Sequence, residues 1–194
     1  NYNTYFVPSN AYLVIVGDVN FKDIKKQVEN LFGKWKKATA PQLTYSDPKD
    51  VQYSQINFID ASNAVQSEVA LVNLSKLKMT DNEYFASLLA NQILGGGGEG
   101  RLFLNLREKH GWTYGAYSSL GSGKYINKFR SGSSVRNAVT DSAVVEVFNE
   151  LKRMRTELVS EEDLRNAKAK YIGNFVMQIE KPSTIAGYAL NKET

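Results

Sequence analysis

Apolar and polar positions along this chain follow two rhythms. Tyr12 to Val16 (YLVIV) is a β-branched apolar run closed by Gly17-Asp18, which predicts a short buried strand. From Phe21 to about Lys36 the apolar positions Phe21, Ile24, Val28, Leu31, Phe32 and Trp35 recur at helical spacing. Ala38 to Asp50 holds Pro41 and Pro48 and reads as a surface linker. Val51 to Ile59 and Gln66 to Leu74 predict strands, with Asp60 to Ala64 as a hairpin loop. Thr80, with Glu83 three residues on, is a capping-box pattern opening a helix through Phe85, Leu88, Leu89 and Ile93 that Gly95 stops. A short helix, Gly100 to Lys109, ends at Gly111. Trp112 to Leu120 and Ile126 to Val135 form a strand pair. Two long helices follow: Ala138 to Thr156, and a second one capped by Ser160 that Pro182 ends or kinks. Hairpin pairs alternating with helices predict an α+β, two-layer domain, with a mainly antiparallel sheet and helices packed on one face.

Composition narrows the chemistry. The chain has 194 residues, 42% apolar and 23% charged, which fits one globular domain. No apolar run approaches the roughly 18 residues of a membrane span. Cysteine is absent and His110 is the sole histidine, which removes disulfides, thiolate sites and the usual zinc ligand sets. His110 itself reads as a surface residue at a helix end. The net charge of +4 is dispersed over small clusters such as Lys34-Lys36-Lys37 and Lys152-Arg153-Arg155, the pattern of solvated helix faces. The glycines from Gly95 to Gly98 fail as a phosphate loop. The Walker pattern needs Lys and Ser/Thr after its last glycine, and Gly100 is followed by Arg101 and Leu102. A flexible hinge between helices is the expectation for that run.

Residues 102 to 118 read LFLNLREKHGWTYGAYS. This stretch closely resembles the second-domain signature of the insulinase, pitrilysin and mitochondrial-processing-peptidase family. The flanks agree with it: Asn1 to Val19 with Pro8, Asn10 and Val16-Gly17-Asp18; Leu94-Gly95-Gly96-Gly97 and Arg101-Leu102-Phe103; Ser160-Glu161-Glu162-Asp163-Leu164 then Ala167-Lys168. The resemblance covers nearly the whole chain. It implies a clam-like assembly of two halves, each holding two similar α+β domains. Zinc and the general-base glutamate belong to a His-x-x-Glu-His motif in a first domain. With one histidine this chain cannot contain that motif, so it is expected to bind no zinc and to be inactive alone. The first residues already read as mature fold, with no signal peptide. The expectation is therefore a single family-type second domain over residues 1–194, truncated at both ends from a longer protein.

The resemblance also implies two substrate-binding residues, an arginine and a tyrosine seven positions apart, matched here by Arg107 and Tyr114. The spacing has a physical rationale. Arg107 falls in the last turn of a short helix, Gly111 breaks it, and Tyr114 lies early in the next strand. Such a helix-to-strand turn can bring both side chains toward one point. A guanidinium and a phenol offer hydrogen-bond donors that can hold a peptide carbonyl and the oxyanion developing from it. A bland account stands beside this: an arginine near a helix C-terminus suits the helix dipole, and a strand tyrosine is ordinary packing. Tyr117 is expected on the opposite strand face from Tyr114 if the strand is regular. Implied partners are a His-x-x-Glu-His domain or subunit and a peptide substrate. The alternative is a structural, assembly subunit of the same family. An RNA-binding sheet is disfavoured because Trp112 to Leu120 lacks the aromatic signature of that class.

Overall fold

The computed structural model describes residues 1–193 of the chain. It divides into two compact units, Asn1–Ser46 with Ile172–Thr194, and Asp47–Tyr171. The second unit holds the sheet: β1 (Gln66–Ser75), β2 (Thr113–Leu120) and β3 (Asn127–Arg136). The spatial order is β1-β3-β2 and both pairings are antiparallel. Central β3 alternates Ser131, Ser133 and Val135 inward, all buried. Its partners add Val69 from β1 and Thr113 and Ala116 from β2 to the same face. On the other face Arg130 pairs with Glu68 at 3.4 Å. One apolar face and one polar face is the pattern of an antiparallel sheet covered by helices on one side.

The covering layer contains α3 (Tyr84–Gly95), the short turn α4 (Arg101–Phe103), a π-helical turn (Leu104–Lys109) and α5 (Thr140–Thr156). Leu94, Leu102, Leu106, Ala143 and Val147 from these elements meet Val69, Ala116 and Val135 in the core. Gly95 ends α3 directly against β2. A Cβ there would collide with the backbone nitrogen of Ser118 and stand 2.6 Å from its Oγ. The glycine run therefore begins with a close-packing residue, and the hinge expected at Gly95 is corrected to a tight helix–strand contact.

α6 (Glu161–Ile179) opens as its sequence predicts, with Ser160 Oγ accepting from Asp163 N–H at 3.0 Å. Glu161, Glu162 and Asp163 in its first turn suit the positive end of the helix dipole. The capping box at Thr80 does not form. α3 starts at Tyr84, and Asp81 closes the preceding turn by accepting from Lys78 N–H at 2.8 Å. No described helix is long and apolar enough to cross a membrane.

The first unit contains α1 (Tyr2–Tyr5), a 3₁₀ turn (Pro8–Asn10), α2 (Phe21–Phe32) and α7 (Pro182–Glu193). Asn20 caps α2 by accepting from Lys22 N–H at 2.9 Å. Ser9 Oγ donates to Ala38 O at 2.8 Å, tying the early turn to the segment after α2. Pro182 begins α7, where its missing N–H costs nothing.

Two expected strands are absent. Residues 12–16 and 51–59 are in neither helix nor strand and are exposed throughout, Ile56 at 94%. The physical reason is that alternation marks which residues would share a face, while a strand exists only when its N–H and C=O groups find a neighbouring ladder. β1 finds that neighbour in β3, the far strand of the β2–β3 hairpin, and the 51–59 segment pairs with neither edge.

Candidate functional site

The segment that carries Arg107 is wound wider than an α-helix. His110 N–H donates to Asn105 O at 3.2 Å, five residues back. Gly111 N–H reaches Arg107 O at 2.9 Å and Trp112 N–H reaches Leu106 O at 3.0 Å. This pair of bonds is the glycine-terminated helix end with one extra residue in each ring, and Gly111 supplies the positive φ of 62° that it requires. Leu102 and Leu106 anchor the turn at zero exposure. Widening by one residue leaves Arg107 on the outer side with its side chain 45% exposed.

Polar contacts fix the turn from below. Asn105 is buried and donates through Nδ2 to Glu146 and Glu150 of α5, both at 2.8 Å. Glu150 is buried and meets Arg153 at 3.4 Å. The Asn105 amide holds the Glu146 carboxyl below its ordinary pKa, against an opposing push from burial, with smaller help from Asn149 and from the charges of Lys109 and His110. The Glu157 carboxylate, bonded to Arg153 Nε at 2.8 Å, raises that guanidinium's already high pKa further. Arg101 is buried beside Met154 Sδ at 3.4 Å and Asp163 at 4.0 Å, which ties α4 to the helices behind it.

β2 enters through a β-bulge. Thr113 pairs with Val135 and Ala116 with Ser133, so Tyr114 and Gly115 together oppose Ser134. The bulge is held by hydroxyls. Thr113 Oγ1 accepts from Gly115 N–H at 3.1 Å and lies 2.7 Å from Ser134 O, and Ser133 Oγ donates to Gly115 O at 2.9 Å. Thr113 and Ala116 both stay buried, while Tyr114 stands 86% exposed. The extra residue also corrects the expectation for Tyr117. The alternation is reset, so Tyr117 returns to the side of Tyr114, and its ring lies over Gly115, where a Cβ would be 2.5 Å from the phenol oxygen.

Arg107 and Tyr114 thus stand on two adjoining elements, both with exposed side chains, and are not hydrogen-bonded to each other. Arg107 rests over the Phe103 ring, with its guanidinium carbon 4.8 Å from the centroid, and its Nε is 3.6 Å from Glu108. His110 is not a free surface residue: it is partly buried and stacked on Trp112 at 4.1 Å, with Nε2 lacking a partner. Sequence reasoning missed the bulge and the π-helical turn. Neither has a periodicity signature, although Gly111 and Gly115 mark the places. Among the described residues no group of three or more His, Cys, Asp or Glu could hold a metal ion. With no cysteine and one histidine, the donor set does not fit zinc. A cleft of about 520 Å³, lined by residues that include Arg101, Leu104, Asn105, Glu150 and Lys170, includes neither Arg107 nor Tyr114.

The model of the peptidase M16 inactive domain matches residues 1–171. The chain belongs to that family. Its type is the family's non-catalytic domain. A curated relative from Bacillus subtilis, described as a "probable inactive metalloprotease", is 28% identical over 159 residues, covering 81% of this chain and 36% of its own length. A zinc protease of Rickettsia felis with no assigned characterisation is 30% identical over 186 residues, covering 91% of this chain and 42% of its own. The chain thus spans about two fifths of the curated relatives it matches. Among solved structures, a protease from Helicobacter pylori superposes with a TM-score of 0.81 at 19% identity, over 95% of this chain and 45% of that one. The M16 inactive domain from Pseudomonas fluorescens gives 0.71 at 24% identity, over 89% and 40%. These likenesses establish the fold.

Proposed function

We propose that this M16 domain is the substrate-holding, metal-free part of a zinc endopeptidase, with Arg107 and Tyr114 binding the carbonyl of a peptide. The zinc belongs to another domain or subunit that carries His-x-x-Glu-His, and the chain works as one domain of that larger protein. The observation that carries this reading is the reversal at Gly111, where two exposed donor-bearing side chains leave adjoining, internally bonded elements. The turn that carries Arg107 is anchored through Asn105 on Glu146 and Glu150, and the bulge that carries Tyr114 is bonded through Thr113, Gly115 and Ser133. Donors fixed in advance stabilise developing charge without reorganising. Neither group has to change protonation to do so, and both offer donors that a peptide carbonyl oxygen can accept from.

The test uses the complete protein. Arg107→Ala and Tyr114→Phe are expected to lower peptide turnover while zinc content stays intact. Removal of one oxyanion donor in other enzymes lowers kcat by about 100- to 1,000-fold. Unchanged hydrolysis in both variants would sink the role of the pair. A structural reading is favoured by one finding, the Bacillus relative's description as inactive. Under it the domain completes the closed assembly and the pair is surface packing. An assembly that forms but hydrolyses no peptide would establish that reading.

A further inference from the structure

We infer that Phe103 and Tyr117 are positioning residues for Arg107, forming an aromatic shelf that fixes its guanidinium relative to the strand carrying Tyr114. The inference rests on the substrate-binding reading above and adds residues that it does not name. An arginine with a 45% exposed side chain has many rotamers available, and holding it in one place needs a partner. Its ion-pair neighbour, Glu108, is adjacent in sequence, 3.6 Å away and itself 58% exposed, so solvent screens that contact. Phe103 is different in kind. Its ring is buried at 8% exposure, four residues before Arg107, and presents its face to the guanidinium at 4.8 Å. A planar cation over a fixed ring is attracted by the ring quadrupole and stays flat against it.

The shelf continues into β2. The Phe103 ring meets the Tyr117 ring at 6.4 Å between centroids, tilted by 45°. Tyr117 reaches this position because the bulge resets the alternation of β2, and because Gly115 has no side chain beneath the ring. A Cβ at Gly115 would lie 2.5 Å from the phenol oxygen and 2.6 and 2.7 Å from ring carbons. The two donors, Arg107 on the π-helical turn and Tyr114 on the strand, therefore share one aromatic reference running Arg107–Phe103–Tyr117 across the gap between their elements. Phe103 is buried and acts through Arg107, so it is a positioning residue and touches no substrate itself.

The experiment compares Phe103→Leu, Phe103→Tyr, Gly115→Ala and Arg107→Ala in the complete zinc-loaded protein, reading kcat and KM separately together with zinc content. Phe103→Leu keeps an apolar side chain and removes the ring face. It is expected to lower kcat about fivefold, the size of one partly exposed cation–π contact, with KM little changed. Phe103→Tyr keeps the ring and should restore kcat. Gly115→Ala displaces the Tyr117 ring and should lower kcat in the same direction. If Arg107→Ala abolishes turnover while Phe103→Leu and Gly115→Ala match the parent protein, the shelf is refuted and the substrate role of Arg107 stands. If Arg107→Ala has no effect, the substrate reading itself fails and takes the kinetic consequence with it. Should Phe103→Leu not fold, proton NMR of the unaltered chain decides. Arg107 Hδ and Hε resonances moved upfield by the Phe103 ring support the shelf, and unshifted resonances overturn it.

Discussion

Replacing Thr113 by valine is the sharpest perturbation of the site's scaffold. Thr113 is 9% exposed, and its hydroxyl oxygen accepts from Gly115 N–H at 3.1 Å while lying 2.7 Å from Ser134 O. Valine preserves the shape and β-branching and removes the hydroxyl. Gly115 N–H, one of the bulge groups outside the regular ladder, loses its partner, and so does that contact to Ser134 O. Leaving a buried group unpaired costs about 1–3 kcal/mol. Gly115 is partly exposed, so water offsets some of this, and a loss of about 2 kcal/mol is expected. Thr113→Ser keeps the hydroxyl and loses a methyl, at about 0.8 kcal/mol. The assay is urea unfolding followed by Trp112 fluorescence in a Trp35→Phe background, which removes the tryptophan of the other unit. If valine is as stable as threonine, or serine is worse than valine, the hydroxyl does not hold the bulge.

Gly95→Ala is expected to destabilise the sheet-bearing unit by about 1–3 kcal/mol, because the added methyl meets the backbone of Ser118; the midpoint of the same urea titration reads it. Asn105→Ala should raise the Glu146 pKa toward its ordinary value, measured by carboxyl NMR titration, because the Asn105 amide is the largest cause of its depression. The sign follows from linkage. A carboxyl depressed in the folded state adds stability that is present above its unfolded pKa and is lost as pH falls through the folded value. Acid unfolding of the parent protein should therefore steepen below the ordinary carboxylate range, and Asn105→Ala should flatten that dependence.

The parts of the fold legible in the sequence are those fixed by local signals. Ser160 caps α6, Pro182 marks that this helix has ended, and the β2–β3 pair follows from two apolar segments joined by a glycine-containing loop. What was not legible depends on partners distant in sequence. YLVIV and the 51–59 segment have strand composition, yet pairing is a property of the neighbour as much as of the segment. The site divides the same way. Arg107 and Tyr114 are candidates from spacing and resemblance, and both are exposed on adjoining elements. The bulge that resets β2 adds one residue without changing composition, so the facing of Tyr117 inverts with no trace in the pattern. The aromatic shelf is equally silent, since Phe103 reads as one more apolar residue of a helix.

The central claim is that this domain supplies substrate-binding donors to a metal centre carried elsewhere. Peptide hydrolysis tests it most directly: this chain alone, then with a His-x-x-Glu-His partner from the same source, with and without Arg107→Ala. The account predicts no hydrolysis by the chain alone, hydrolysis by the mixture, and its loss on changing Arg107 with zinc still bound. A mixture that assembles but stays inactive, or cleaves equally well without Arg107, would contradict it.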